Sequence, residues 1–179
     1  MDETFDIVIG TKGIATIAIL DFLLVALFFH VWGRSDLAGI WRLIGVGSVG
    51  VVCVIFLWFT IGAVSSKLIV SDDVLVISIP MYGKTLALAD VDIEGISVIT
   101  ADERNHFRPA VRTNGLGLPG YGVGWFRLRN GSRALVAVGS RGPSIHIPTS
   151  LGFSILATIE NPDSFVELLA STTPIETSL

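Results

Sequence analysis

The chain has 179 residues, a formal net charge of −4, 51% hydrophobic and 16% charged residues, and a mean hydropathy of +0.71. It is too apolar for an average soluble domain and points to a bilayer-embedded part; its negative charge excludes a general attraction to nucleic acid or anionic lipid. The one cysteine, Cys53, excludes an intrachain disulfide and a cysteine-built metal site.

Residues 1–12 read as a retained N-terminal tail. They open with Asp2, Glu3 and Asp6, lack the basic start of a signal peptide, and precede no small-residue cleavage site. Residues 13–65 read as a helical membrane hairpin. Ile14–Trp32 is an apolar run of about 19 residues and Leu43–Val64 one of about 22, each near the length that crosses the hydrocarbon core. The polar stretch between them holds Arg34 and Arg42 and is bracketed by Trp32 and Trp41, as an interfacial aromatic belt requires. Such a hairpin puts the N-terminus and the C-terminal part on the same side. The basic residues do not choose that side, since Arg34 and Arg42 are balanced by Lys12 and Lys67.

Asp21 is the intramembrane polar residue, expected near Cys53 and Val54 in an antiparallel hairpin. It reads as an ion or proton site, as a polar contact between copies, or as a protonated carboxyl tolerated in the bundle. Gly45, Gly47 and Gly50 permit close helix approach and self-association through the hairpin. His30 sits near the span end, where snorkelling accounts for it.

Residues 66–172 change character to short β-branched runs separated by turns. Strands are expected at Lys67–Val70, Val74–Ile79, Thr85–Leu88 and Ile93–Thr100. Next comes Arg112–Phe126, where Gly115, Gly117, Pro119, Gly120 and Gly124 predict a shaped loop, because glycine density and proline oppose regular structure. Gly115-x-Gly117-x-x-Gly120 spells a dinucleotide fingerprint. The polar, charged stretch before it and the strand-like Trp125–Arg129 after it deny the buried strand and helix N-terminus that motif needs. Asn130-Gly131 predicts a hairpin turn between Trp125–Arg129 and Arg133–Val138. Ser144–Pro148 and Phe153–Ile159 complete the strands. Asn161 and Pro162 then start a helix whose Phe165, Leu168 and Leu169 share one face. Residues 173–179 read as a polar C-terminal tail.

Arg112, Asn114-Gly115, Gly117, Pro119-Gly120-Tyr121 and Gly124-Trp125-Phe126 resemble the signature of bacterial pleckstrin-homology-like (PH-like) domains. The group it resembles is the one in which the domain follows membrane-spanning helices. The likeness spans Ser66–Thr172 and includes Asn161-Pro162-Asp163-x-Phe165 at the last helix. The resemblance implies an α+β fold: a PH-like β-barrel or sandwich of about seven short strands with one C-terminal α-helix, following the transmembrane hairpin. It also inclines the domain to the cytoplasmic side of the cell membrane. Inositide binding does not carry over, because the first hairpin turn is the acidic Ser71-Asp72-Asp73 where inositide-binding relatives are basic.

No catalytic, metal or cofactor set emerges. His30, His106 and His146 are isolated from other ligand types, no serine has a nucleophile-elbow context, and Asp102-Glu103 read as solvated acids. The chain is therefore read as a non-enzyme without cofactors. Arg104, Arg108, Arg112, Arg127 and Arg129 form the candidate binding surface, with His106, Arg133 and His146 nearby. The expected function is a membrane-anchored interaction or scaffold module with an unidentified protein partner. The alternatives are a membrane-active protein working through Asp21 and a module for anionic lipid headgroups.

Overall fold

The computed structural model describes residues 2–34, 39–99, 104–139 and 142–172. The chain runs β1 (Glu3–Asp6), α1 (Gly10–Gly33), α2 (Ile40–Val64), β2 (Lys67–Ser71), β3 (Val74–Ser78), β4 (Lys84–Ala87), a 3-10 turn (Leu88–Asp90), β5 (Ser97–Ile99), α3 (Arg104–Phe107), β6 (Pro109–Leu118), β7 (Tyr121–Leu128), β8 (Arg133–Gly139), β9 (Ser144–Pro148), β10 (Ser154–Thr158) and α4 (Pro162–Thr172). The expected C-terminal tail lies outside the described residues, as do Asp102 and Glu103.

The fold is α+β, as expected, but among the described residues the strands number ten and lie in two sheets that do not close into a barrel. One sheet has the order β1-β2-β3-β4, the other β5-β9-β10-β8-β7-β6. The added strands come from segments read as tail and loop. β1 pairs with β2 from Glu3↔Val70 to Asp6↔Lys67, because Phe5, Ile7 and Ile9 alternate and bury their faces. This segment also stitches the sheets together: Ile7 N–H donates to Ser66 O at 3.0 Å and Val8 N–H to Thr158 O at 2.8 Å.

The main core lies between the sheets. Leu68, Leu75 and Ile77 face Val123, Leu135, Ile145, Ile147 and Ile155, and Phe165 and Leu169 of α4 are fully buried among them. Phe165 packs edge-on against Phe5 at 5.1 Å. A smaller core of Ile99, Phe126, Leu128, Ala134, Val136 and Leu156, with Phe107 against it, covers the outer face of the larger sheet. β10 is therefore buried throughout and runs parallel to β8.

α1 and α2 contrast with this packing. They have 24 and 25 residues, are long and apolar enough to cross a membrane, and bury only Gly13, Ile17 and Ala63. Phe22, Leu43 and Val54 are about 70% exposed.

Candidate interaction surface

The glycine-rich stretch is a β-hairpin, not a loop. β6 and β7 pair continuously from Asn114↔Trp125 to Leu118↔Tyr121, and Pro119-Gly120 is the two-residue turn. Gly115 faces Gly124, and Gly117 faces Gly122. A Cβ on Gly115 would lie 2.3 Å from Val123 O, and one on Gly124 would lie 2.6 Å from Asn114 O. Glycine is thus used here for close backbone approach, and the ladder's hydrogen bonds offset its entropy cost.

The hairpin tip docks on the start of α1. Thr16 Oγ1 lies 2.9 Å from Lys12 O and 3.0 Å from Pro119 O, so its one proton is shared between two acceptors. A Cβ on Gly120 would lie 2.7 Å from Gly13 N, and one on Gly13 2.7 Å from Gly120 O. Tyr121 follows, 3% exposed, with its ring 6.4 Å from Phe59 of α2. Burial pushes its phenol up to about 12, against a smaller opposing pull from the Ser66 hydroxyl.

The four candidate arginines with described side chains, Arg108, Arg112, Arg127 and Arg129, do not form one patch. Arg104 opens α3, and its side chain lies outside the described residues. Cross-strand partners share a sheet face. Arg127 pairs with Val111 and Arg133, whereas Arg112 pairs with Phe126. Arg127 therefore belongs to the face of Trp125, and Arg112 to the opposite one. Arg108 and Arg129 are brought together by Arg129 N–H donating to Arg108 O at 3.0 Å. Arg108, Arg112, Arg127 and Arg129 are exposed and form no ion pair among the described residues, unlike Lys67, which lies 3.9 Å from Asp6.

Sequence reasoning missed the aromatic centre of this end. The Arg133 guanidinium lies 4.3 Å from the Trp125 ring centre, and Lys84 Nζ approaches the same ring at 5.6 Å. Phe153 packs edge-on against Trp125 at 5.1 Å. The Asn130-Gly131 register, which puts Trp125 opposite Leu135 and diagonal to Arg133, was a usable signal for the first contact. Lys84 arrives from the other sheet and left no signal. His146 is half-buried: its ring lies tilted against Phe107 at 4.3 Å, and burial lowers its pKa.

Between the helices, Thr60 Oγ1 donates to Asp21 Oδ2 at 2.9 Å. Cys53 and Val54, the expected neighbours, line with Asp21 a cavity of about 160 Å³. The true partner is Thr60, about two turns further along α2. Nearer the turn, Arg42 Nη2 reaches back to Trp32 O at 2.6 Å. Among the described residues, no three His, Cys, Asp or Glu side chains gather as a metal set.

These features define an α+β protein with two helices of membrane-crossing length. No protein-family model, no curated protein and no solved structure matches the chain.

Proposed function

We propose that the chain is a multi-pass protein of the cell membrane. α1 and α2 cross the bilayer as a hairpin, and the two-sheet domain acts on the cytoplasmic side as a PH-like, non-catalytic interaction module for a protein partner. One observation carries the membrane reading. Among the described residues, the exposed large apolar side chains lie on α1 and α2 apart from Met81, Val111 and Leu151. Each left in water forgoes about 1.5–3 kcal/mol, a cost that lipid removes. The PH-like reading is supported by the residues of the glycine hairpin and by two packed sheets followed by a C-terminal helix.

The partner surface is the basic end around Trp125, with Arg108, Arg127 and Arg129 as free charges for an acidic protein segment. Arg127 lies six residues along β7 from Tyr121, a separation of about 20 Å. Its distance from the helix-contacting end exceeds the Debye length of about 8 Å, which argues against headgroups of the same bilayer as the ligand. Cross-linking in native membranes tests the surface. The Arg108→Ala/Arg127→Ala/Arg129→Ala variant loses a salt-sensitive partner that the wild type retains; identical partners for both would remove the proposal. The Asp21–Thr60 pair beside its cavity supports a second reading, a membrane-active protein. That reading requires Asp21→Asn to abolish cellular activity while the domain stays folded.

A further inference from the structure

We infer that the tip of the β6–β7 hairpin, Leu116–Gly120, and the Pro80–Met81 turn form a lipid-contacting collar that enters the headgroup–acyl boundary beside α1 and α2. This inference rests on the membrane-spanning reading above and adds to it where the domain meets the bilayer.

Depth is the first argument. α1 has 24 residues, a length of about 36 Å, and so exceeds the hydrocarbon core by roughly 6 Å, an excess placed at its N-terminal end, where the domain buries Gly13 and Ile17. Thr16 lies six residues from the helix start, about 9 Å along the axis. Its hydroxyl therefore sits about 3 Å from the core boundary, and it is within 3.0 Å of Pro119 O. On the other helix, a Cβ at Gly62 would lie 3.0 Å from Pro80 Cγ, and Gly62 is two residues from the end of α2. Both turns therefore reach the interfacial level.

Chemistry is the second argument. Between Arg112 and Arg127 the sequence holds no Asp, Glu, Lys, Arg or His. A bilayer penalises unpaired backbone groups, and the tip exposes few of them. Pro119 has no N–H, its carbonyl is met by Thr16, and Leu118 pairs with Tyr121. The outer edge of β6 has no neighbouring strand among the described residues. Entry is therefore confined to the interfacial zone, where water and headgroups still reach that edge.

Met81 is the third argument. It is 70% exposed and holds a φ of 64°, a left-handed conformation that L-residues rarely adopt. The turn leaves a flexible apolar side chain exposed next to Pro80, the residue that meets Gly62 of α2.

The test uses the full chain in phosphatidylcholine liposomes, in a Cys53→Ala background. Single cysteines at Leu118→Cys, Leu116→Cys, Met81→Cys, Asp73→Cys and Ile55→Cys carry an environment-sensitive fluorophore. Quenching is read from lipids bearing a nitroxide near the headgroup or deep in the acyl chain. Positions 81 and 118 should be quenched by the shallow nitroxide several-fold more than position 73, and position 55 by the deep one. Position 116 replaces 118 if that variant fails to fold. Quenching at 55 with none at either turn, or at only one of them, overturns the collar and leaves the membrane hairpin intact. No quenching at 55 overturns the membrane reading itself.

Discussion

Replacing Gly120 by alanine should separate the hairpin tip from α1, and Gly131→Ala supplies the internal standard. The two glycines hold nearly the same backbone conformation, φ 85° and 87°. Alanine in that conformation costs about 1–2 kcal/mol at either site. Their surroundings differ. A Cβ at Gly131 meets nothing within 4 Å, whereas one at Gly120 lies 2.7 Å from Gly13 N and 3.0 Å from Lys12 C. Those are backbone atoms of a helix and cannot rotate away, so the tip must move. Moving it breaks the contact between Thr16 Oγ1 and Pro119 O, a hydrogen bond worth about 1 kcal/mol. Gly120→Ala should therefore cost about 1–2 kcal/mol more than Gly131→Ala, which at this chain length is roughly 2–8 °C in apparent Tm. Thermal unfolding of both variants in detergent micelles, followed by tryptophan fluorescence, measures the difference. Equal destabilisation, within about 0.5 kcal/mol, would refute the docking of the tip on α1.

Thr60→Val removes the only donor that reaches the Asp21 carboxyl among the described residues. It should destabilise the helix pair by about 1–3 kcal/mol, read as earlier loss of helical circular dichroism on titration with a denaturing detergent. Phe165→Ala empties a fully buried site packed against Phe5 and should cost about 3–5 kcal/mol, seen as faster proteolysis of the β domain while the helices stay protected in liposomes. Tyr121 sets an alkaline limit. Its phenol is raised from an ordinary 10.0 to about 12, so the folded state holds the proton more tightly than the unfolded chain. That contribution is whole below pH 10 and is lost as pH rises towards 12. Tyr121→Phe should therefore remove the latest step in the phenolate absorbance titration and flatten the loss of stability above pH 10.

The helices and most strands were legible because their signals are local. Apolar length marks α1 and α2, short β-branched runs bounded by turns mark β2, β3 and β8, and Asn161-Pro162 marks the start of α4. The glycine stretch misled because propensity describes an isolated chain. In the fold, Gly115 and Gly124 sit where no Cβ fits, and the ladder overrides the entropy penalty. β1 was missed because its four residues carry only one apolar side chain, the half-buried Phe5, and their pairing with β2 spans the whole helical hairpin. At the basic end, the alternation of Arg127 with Phe126 and Leu128 was readable. The division between Arg127 and Arg112 was not, because it depends on register shifts between Pro109 and Val111 and between Arg112 and Asn114. Thr60 was missed because a small hydroxyl inside an apolar run carries no signal of its own.

Sidedness across a sealed membrane tests the central claim most directly. In the Cys53→Ala background, Gly33→Cys sits at the far end of α1, where a Cβ meets nothing within 4 Å. Asp73→Cys sits on the exposed β2–β3 turn of the domain. A membrane-impermeant thiol reagent applied to sealed vesicles should label one of the two, and the other only after permeabilisation. Labelling of both in sealed vesicles, or release of the chain from the membrane by alkaline carbonate, would contradict a bilayer-crossing hairpin that carries the domain on one side.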